Sequence, residues 1–345
     1  SRPVRGSRKL ESGDTKAQQD SCRPGDDESR HDFWAQTARW RQIRARLGVC
    51  RTWVGQTPER STPQSAIWNR DKEFILNSPP TPRLTNRLAE RLRSGGLGLA
   101  LMIRHARTVD IALAAQTCGF DALYFDLQHT STPEEVVAQI SVAALNAGVT
   151  PLVRVPDRGY DAALRMLDSG ALGIVMPDVS TEEDARQAVA HCKFAPVGNR
   201  GAYGSWPQLG YRAMPATEAR KLLNDNTLLI VMVESKSALD NVEAIAAVPG
   251  VDIVHVGSND LASDLGVTGQ LTHPLVLAGI ERLVAACRKH GKIPGVGGLT
   301  GGDTKRIEQV VKLGARFLTA ANEWNLMLAA GQERVRALRS LTPVY

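Results

Sequence analysis

Five side chains with chemistry to offer stand at or just past the ends of short apolar runs. They are Asp126 and His129 in LYFDLQH, Arg154 in PLVRV, Glu234 in LIVMVES and Asp260 in VDIVHVGSND. Glu234 and Asp260, arriving at successive strand ends, suit a hard divalent cation such as Mg²⁺ or Mn²⁺, with waters and substrate oxygens completing the shell. Each acid also has a plainer use: Glu234 as a first-turn acid of a helix capped by Ser235, and Asp260 as a cap within SNDLASDLG. Arg154 interrupts an apolar run, where an unpaired guanidinium is costly to bury, so it requires an anion. That anion is either a 2-oxo acid, onto which the guanidinium can fork, or a neighbouring strand-end acid of the protein. His129 follows Asp126 by three residues, close enough for the acid to fix the imidazole tautomer and raise its basicity for acid–base work. The VGSND turn offers backbone N–H groups at a helix start, a place for a carboxylate. His255, within a strand ahead of Gly257, reads as barrel packing, and His105, His191, His273 and His290 have no comparable setting.

Residues a hundred positions apart share a site only if the fold brings strand ends together. Eight strands are expected, at 97–103, 122–127, 150–155, 173–177, 228–234, 252–257, 292–296 and 316–320, with helical patterns between them. That alternation predicts an α/β fold, a (β/α)8 TIM barrel, whose post-strand residues converge on one mouth. A doubly wound open sheet is the alternative, because a strand count does not prove closure. LTNRLAERLRSG (84–95) and TVDIALAAQTCG (108–119) read as helices closed by glycine. The next, TPEEVVAQISVAALNAG (132–148), opens with Thr132 as N-cap, Pro133 at the first helical position and Glu135 completing a capping box. The longest connection, about 178–227, contains KFAPVGNRGAYGSWP (193–207) and is expected to cover or border the mouth.

Composition narrows the class. With 43% hydrophobic and 23% charged residues the chain reads as globular, and no apolar run approaches the roughly 20 residues of a membrane span. Residues 1–80 carry 15 Lys and Arg against 10 Asp and Glu, leaving 27 against 26 for residues 81–345, so the excess positive charge belongs to the first segment. That segment lacks apolar periodicity, holds four of the six tryptophans, and reads as a low-order basic extension of unassigned role ahead of a barrel domain, 81–345. Its Asp26, Asp27 and Glu28 argue against a transit peptide, no signal-peptide core is present, and no nucleic-acid-reading motif accompanies its charge. NSPPTPR (77–83) marks a stiff boundary. Five scattered cysteines without a CxxC pair point away from zinc and disulfide frameworks and towards a reducing, cytoplasmic setting; Cys118, Cys192 and Cys287 read as buried thiols.

Together these motifs resemble the HpcH/HpaI aldolase/citrate lyase family of metal-dependent (class II) 2-oxo-acid aldolases, which includes 2,4-dihydroxyhept-2-ene-1,7-dioate aldolase and, more distantly, macrophomate synthase. The likeness spans about residues 84–330. FDLQH resembles the family's Asp-x-x-His segment, PLVRV its arginine strand, APVGNRG its Pro-x-Gly-x-Arg-Gly loop, VESKSALDN its metal-glutamate motif and VGSNDLASDLG its metal-aspartate motif. The resemblance implies that Glu234 and Asp260 hold a divalent metal (Mg²⁺, Mn²⁺ or Co²⁺), and that Arg154 contacts the oxo-acid oxygens. It gives proton transfer to His129 with Asp126, and carboxylate binding to Gly257, Ser258 and Asn259. The implied reaction is reversible cleavage of a 4-hydroxy-2-oxo acid to pyruvate and an aldehyde through an enolate stabilised by metal and Arg154. A 2-oxo-acid decarboxylase of the oxaloacetate type, or a non-catalytic binding barrel, is the alternative. Lys236 is read as structural, since no Schiff base is needed. A homo-oligomer is also implied, often a hexamer with exchanged C-terminal helices. Gln128, where relatives commonly have Glu, Met232, where some have Gln, and the TAANEWN ending of the last strand depart from the family pattern and bear on the aldehyde partner.

Overall fold

Eight parallel strands pair in sequence order, and β8 closes against β1. In the computed structural model, which describes residues 84–299 and 304–341, they are β1 Gly98–Ile103, β2 Ala122–Asp126, β3 Thr150–Arg154, β4 Gly173–Met176, β5 Leu228–Val233, β6 Ile253–Val256, β7 Ile293–Val296 and β8 Phe317–Asn322. All eight expected strands are present, and closure excludes the open doubly wound sheet. The extension assigned to residues 1–80 lies outside the described residues.

The strands read as unbroken apolar runs because helices cover them outside and side chains fill the barrel inside; all six residues of β5, LLIVMV, are buried. Period-two alternation sorts them. Ala100, Tyr124, Leu152, Val175, Ile230 and Phe317 pack the interior, while Leu101, Leu123, Val153, Ile174, Val231 and Leu318 face the helices. The helix Arg87–Arg93 plugs the end where the strands begin. Its buried N-cap, Asn86, accepts from the Ala89 amide and donates to Leu172 O and Asn226 O, and Leu88 and Leu92 join the interior cluster. Gly95, at φ +90°, follows this helix, and Gly119, at φ +87°, closes the helix Asp110–Cys118, as expected from their positions.

Three expectations are corrected. The helix Glu134–Ala147 starts after Pro133 without a side-chain cap. Its intended cap, Thr132, is instead bonded to Thr130, whose hydroxyl also turns back to the Asp126 carbonyl. The long connection meets the mouth only at its start, where the Asp178 amide bonds Glu234; its 193–207 stretch follows the helix Glu182–Cys192 and precedes the helix Ala216–Asn226 that leads into β5, and so falls at the strands' amino ends. There Phe194 and Trp206 pack with Leu84, Leu172, Leu209 and Leu223, while Arg200 pairs with Asp168 at 2.6 Å and Lys193 with Asp252 at 3.0 Å. Cys192 and Cys287 are buried, their thiols pushed up to about 12 by burial, whereas Cys118 is exposed on its helix. No helix among the described residues is long and apolar enough to cross a membrane.

Candidate active site

At the strands' carboxyl ends lies a cavity of about 330 Å³, and Asp126, His129, Arg154, Glu234, Gly257, Ser258, Asn259 and Asp260 all line it. Period-two alternation and parallel register converge them: inward positions at the last turn of each strand point to one space.

Arg154 and Asp126 are register partners on β3 and β2. The guanidinium forks onto the carboxylate, Nε to Oδ1 at 3.0 Å and Nη2 to Oδ2 at 2.6 Å, so Arg154 has a protein anion, the second of its two expected uses. Nη1 takes no part in that pair, and Arg154 also lines the cavity. Burial works against the Asp126 charge, but the Arg154 fork and the His129 amide hold its carboxyl below the usual carboxylate range. The same contacts correct its expected role: Asp126 Oδ1 accepts the backbone N–H groups of Gln128 and His129, both at 3.1 Å, rather than the imidazole. It shapes the turn that presents His129 and does not fix the ring's tautomer. His129 itself is exposed at the rim.

Glu234 is only 7% exposed, and its Oε1 accepts the Asp178 amide at 2.8 Å. Burial pushes its carboxyl up to about 7; the charges of Asp178 and Asp260 add to the rise, and the Asp178 amide and Arg154 oppose it. Ser235 caps the helix Lys236–Asp240 as anticipated, with its hydroxyl accepting from Ala238. Surplus negative charge around a buried carboxylate is what a divalent cation would offset, so the donor chemistry fits such an ion. Among the described residues no three His, Cys, Asp or Glu side chains stand close enough together to hold one ion by themselves.

Gly257 acts differently from expectation. Its N–H donates to Val233 O at 3.1 Å, so the amide is already committed to the strand ladder. Ser258 and Asn259 remain, at the opening of the helix Ser258–Asp264 where amides have no preceding carbonyl to bond. What Gly257 supplies is space: a Cβ there would overlap Glu234 Oε2 and lie 2.8 Å from Glu234 Cβ. Gly257→Ala is therefore expected to displace the Glu234 carboxylate and lower kcat on the order of 10²-fold, with the far-ultraviolet circular dichroism unchanged. A variant with full kcat would contradict this placement.

Several lining residues escaped the sequence reading. His105, set aside there, lies two residues past β1 and lines the cavity with Arg104 and Trp324; the strand-end rule that found Asp126 would have found both Arg104 and His105. His255 does pack, with its ring 5.4 Å from Phe317, yet it also lines the cavity floor, and neither ring nitrogen has a partner. Burial, helped by the Arg154 charge, pulls its pKa from 6.5 to about 3. Between those pH values the unfolded chain binds the extra proton, so stability is full above pH 6.5 and falls as pH falls, by roughly 3–5 kcal/mol across the window. His255→Phe should lose less urea-unfolding free energy between pH 7 and pH 4 than the parent protein; equal losses would contradict it.

The family model for HpcH/HpaI aldolase/citrate lyase matches residues 102–330, which takes in every strand end of this cavity. The chain belongs to this family. A 4-hydroxy-4-methyl-2-oxoglutarate aldolase of Hapsidospora irregularis is 37% identical over 258 residues, 74% of this chain and 96% of that protein. A 5-keto-4-deoxy-D-glucarate aldolase of Klebsiella pneumoniae is 34% identical over 221 residues, covering 64% and 84%. The crystal structure of an HpcH/HpaI aldolase from Desulfitobacterium hafniense superposes with a TM-score of 0.70 at 28% identity, covering 76% of this chain and 100% of that one. The Desulfitobacterium hafniense aldolase thus shares this chain's barrel over its whole length.

Proposed function

We propose that this family member is a divalent-metal-dependent aldolase, a carbon–carbon lyase that reversibly cleaves a 4-hydroxy-2-oxo acid to pyruvate, or a related 2-oxo acid, and an aldehyde. The observation that carries the reading is the gathering of Glu234, Asp260, Arg154 and His129 around one cavity. Glu234 and Asp260 would hold the cation, which supplies Lewis-acid polarisation of the 2-oxo group when bound. The first-turn amides of Ser258 and Asn259 bind the substrate carboxylate, and Arg154 steadies the oxyanion that develops as the C3–C4 bond breaks. His129, at the rim, takes the C4 hydroxyl proton in cleavage and returns it in synthesis. Asp126 is a positioning residue, acting through Arg154 and the His129 turn.

The aldolase names of the relatives favour C–C cleavage over decarboxylation. Product analysis separates the two: pyruvate release should be faster from a 4-hydroxy-2-oxo acid than from oxaloacetate, and the reverse order would favour the decarboxylase. We also infer a homo-oligomer. The helix Glu323–Arg339 buries none of its residues and exposes Leu326, Met327, Leu328, Val335 and Leu338, an apolar face that a second copy would cover. Light scattering on the full chain should give a multimer that Leu328→Asp dissociates; a monomeric parent protein would contradict it.

A further inference from the structure

The barrel order sets β1 diametrically opposite β5 across the mouth. The expected 2-oxo-acid end of the substrate lies at the β5–β6 side, with Glu234, Asp260 and the Ser258–Asn259 turn. The rest of the molecule must then extend towards β8 and β1, and what it meets there is a cation. Arg104 follows β1, lines the cavity and has a side chain 40% exposed towards the mouth.

This arginine is held in place, and the acid it reaches, at long range, is one it shares with Arg154. Its loop is fixed by Glu323, whose Oε1 accepts the amides of Arg104 at 2.7 Å, His105 at 2.5 Å and Ala106 at 3.2 Å. Its nearest acid, Asp126, stands 4.0 Å away and is already forked by Arg154. Its Nη2 reaches the His129 carbonyl at 3.5 Å, and its buried Nε, the atom 4.0 Å from Asp126 Oδ2, has no hydrogen-bond partner. Beside it, His105 and Trp324 pack with ring centroids 4.9 Å apart and form one wall of the cavity. A guanidinium fixed by its backbone, reachable from the cavity and sharing its distant acid with Arg154 is a ready fork for a carboxylate.

Resting on the aldolase reading above, we propose that Arg104, flanked by His105 and Trp324, binds a second anionic group at the far end of the substrate, so that 4-hydroxy-2-oxo diacids are preferred over monoacids. In cleavage the C3–C4 bond breaks with its electron pair passing to the C3 enolate. The C4 hydroxyl loses its proton and becomes a carbonyl, and C3 is reprotonated to give pyruvate. The distal carboxylate leaves with the carbonyl fragment, held by Arg104 throughout. No oxidant or further reactant enters.

The test compares kcat/KM for 4-hydroxy-2-oxoglutarate with that for 4-hydroxy-2-oxopentanoate, in which a methyl group replaces the distal carboxylate. The parent protein should favour the diacid by at least roughly 30-fold. Arg104→Ala should reduce that ratio by roughly 30- to 100-fold, chiefly through the KM for the diacid, as expected for a charged hydrogen-bonded contact. Arg104→Lys, keeping the charge without the fork, should retain part of the preference. Arg104→Gln gives the same reading should the alanine variant fail to fold. Cleavage of both substrates with no preference, or a ratio untouched by removing the Arg104 charge, would overturn the proposal alone. Cleavage of neither by metal-loaded protein would overturn the aldolase reading and this proposal with it.

Discussion

Glu234→Gln is expected to lower turnover on the order of 10³-fold while leaving a folded protein, because it removes the proposed cation ligand and its charge. The variant should also be the more stable protein in the presence of chelator. The buried carboxyl has its pKa raised from 4.5 to about 7. The stability associated with its neutral form is fully present below pH 4.5 and is lost as pH rises through 7. Glutamine cannot ionise, so its advantage should grow from near zero at pH 4.5 to roughly 2–3 kcal/mol at pH 8. Urea unfolding in chelator at these two pH values, set beside kcat with metal, checks both halves. A stable, fully active variant would remove Glu234 from the chemistry; a variant destabilised at pH 8 would show that its carboxylate is structural.

Arg154→Ala carries the second large effect, and here structure and catalysis can be separated. Removing the guanidinium strands the Asp126 carboxylate at 2% exposure, so unfolding free energy should fall by about 3–5 kcal/mol. Turnover should fall on the order of 10²–10³-fold from loss of the oxyanion contact. Stability and activity should then part company in Asp126→Leu/Arg154→Met, which replaces the buried pair by apolar groups. That double variant is expected to regain most of the lost stability and none of the activity. Recovery of both would make the pair purely structural and leave the oxyanion without its proposed partner.

The contrast between these two residues shows what could be read in advance. All eight strands were legible because parallel strands buried on both faces must be apolar throughout, and a polar residue at the end of such a run stands out. That signal found Glu234, Asp260, Asp126 and Arg154. It could not choose between Arg154's two anions, because the choice depends on the register of β2 against β3, which pairs Asp126 with Arg154 directly. Nor could it tell that Gly257's amide was committed to Val233, since a ladder bond is a property of two strands at once.

The misplacement of the 193–207 stretch has a similar origin. Loop length and glycine content suggest function, but the topological position of a helix-to-strand connection decides which end of the barrel it serves. Here that end is the one away from the mouth, where Phe194 and Trp206 build a small core of their own. Arg104 and His105 stand in a basic stretch, RHAR, whose place at the mouth depends on Glu323, more than 200 residues further on, gathering its amides.

The proposed service of Glu234 and Asp260 to a cation acting on a 2-oxo acid is tested most directly by stripping the protein with chelator, resupplying Mg²⁺, Mn²⁺ or Co²⁺ in turn, and measuring pyruvate release from 4-hydroxy-2-oxoglutarate. Release should fall to background in chelator and return with at least one of these ions, whereas Glu234→Gln and Asp260→Asn should not recover. Undiminished release from fully stripped, folded protein would contradict the metal role, and no release under any ion would contradict the aldolase.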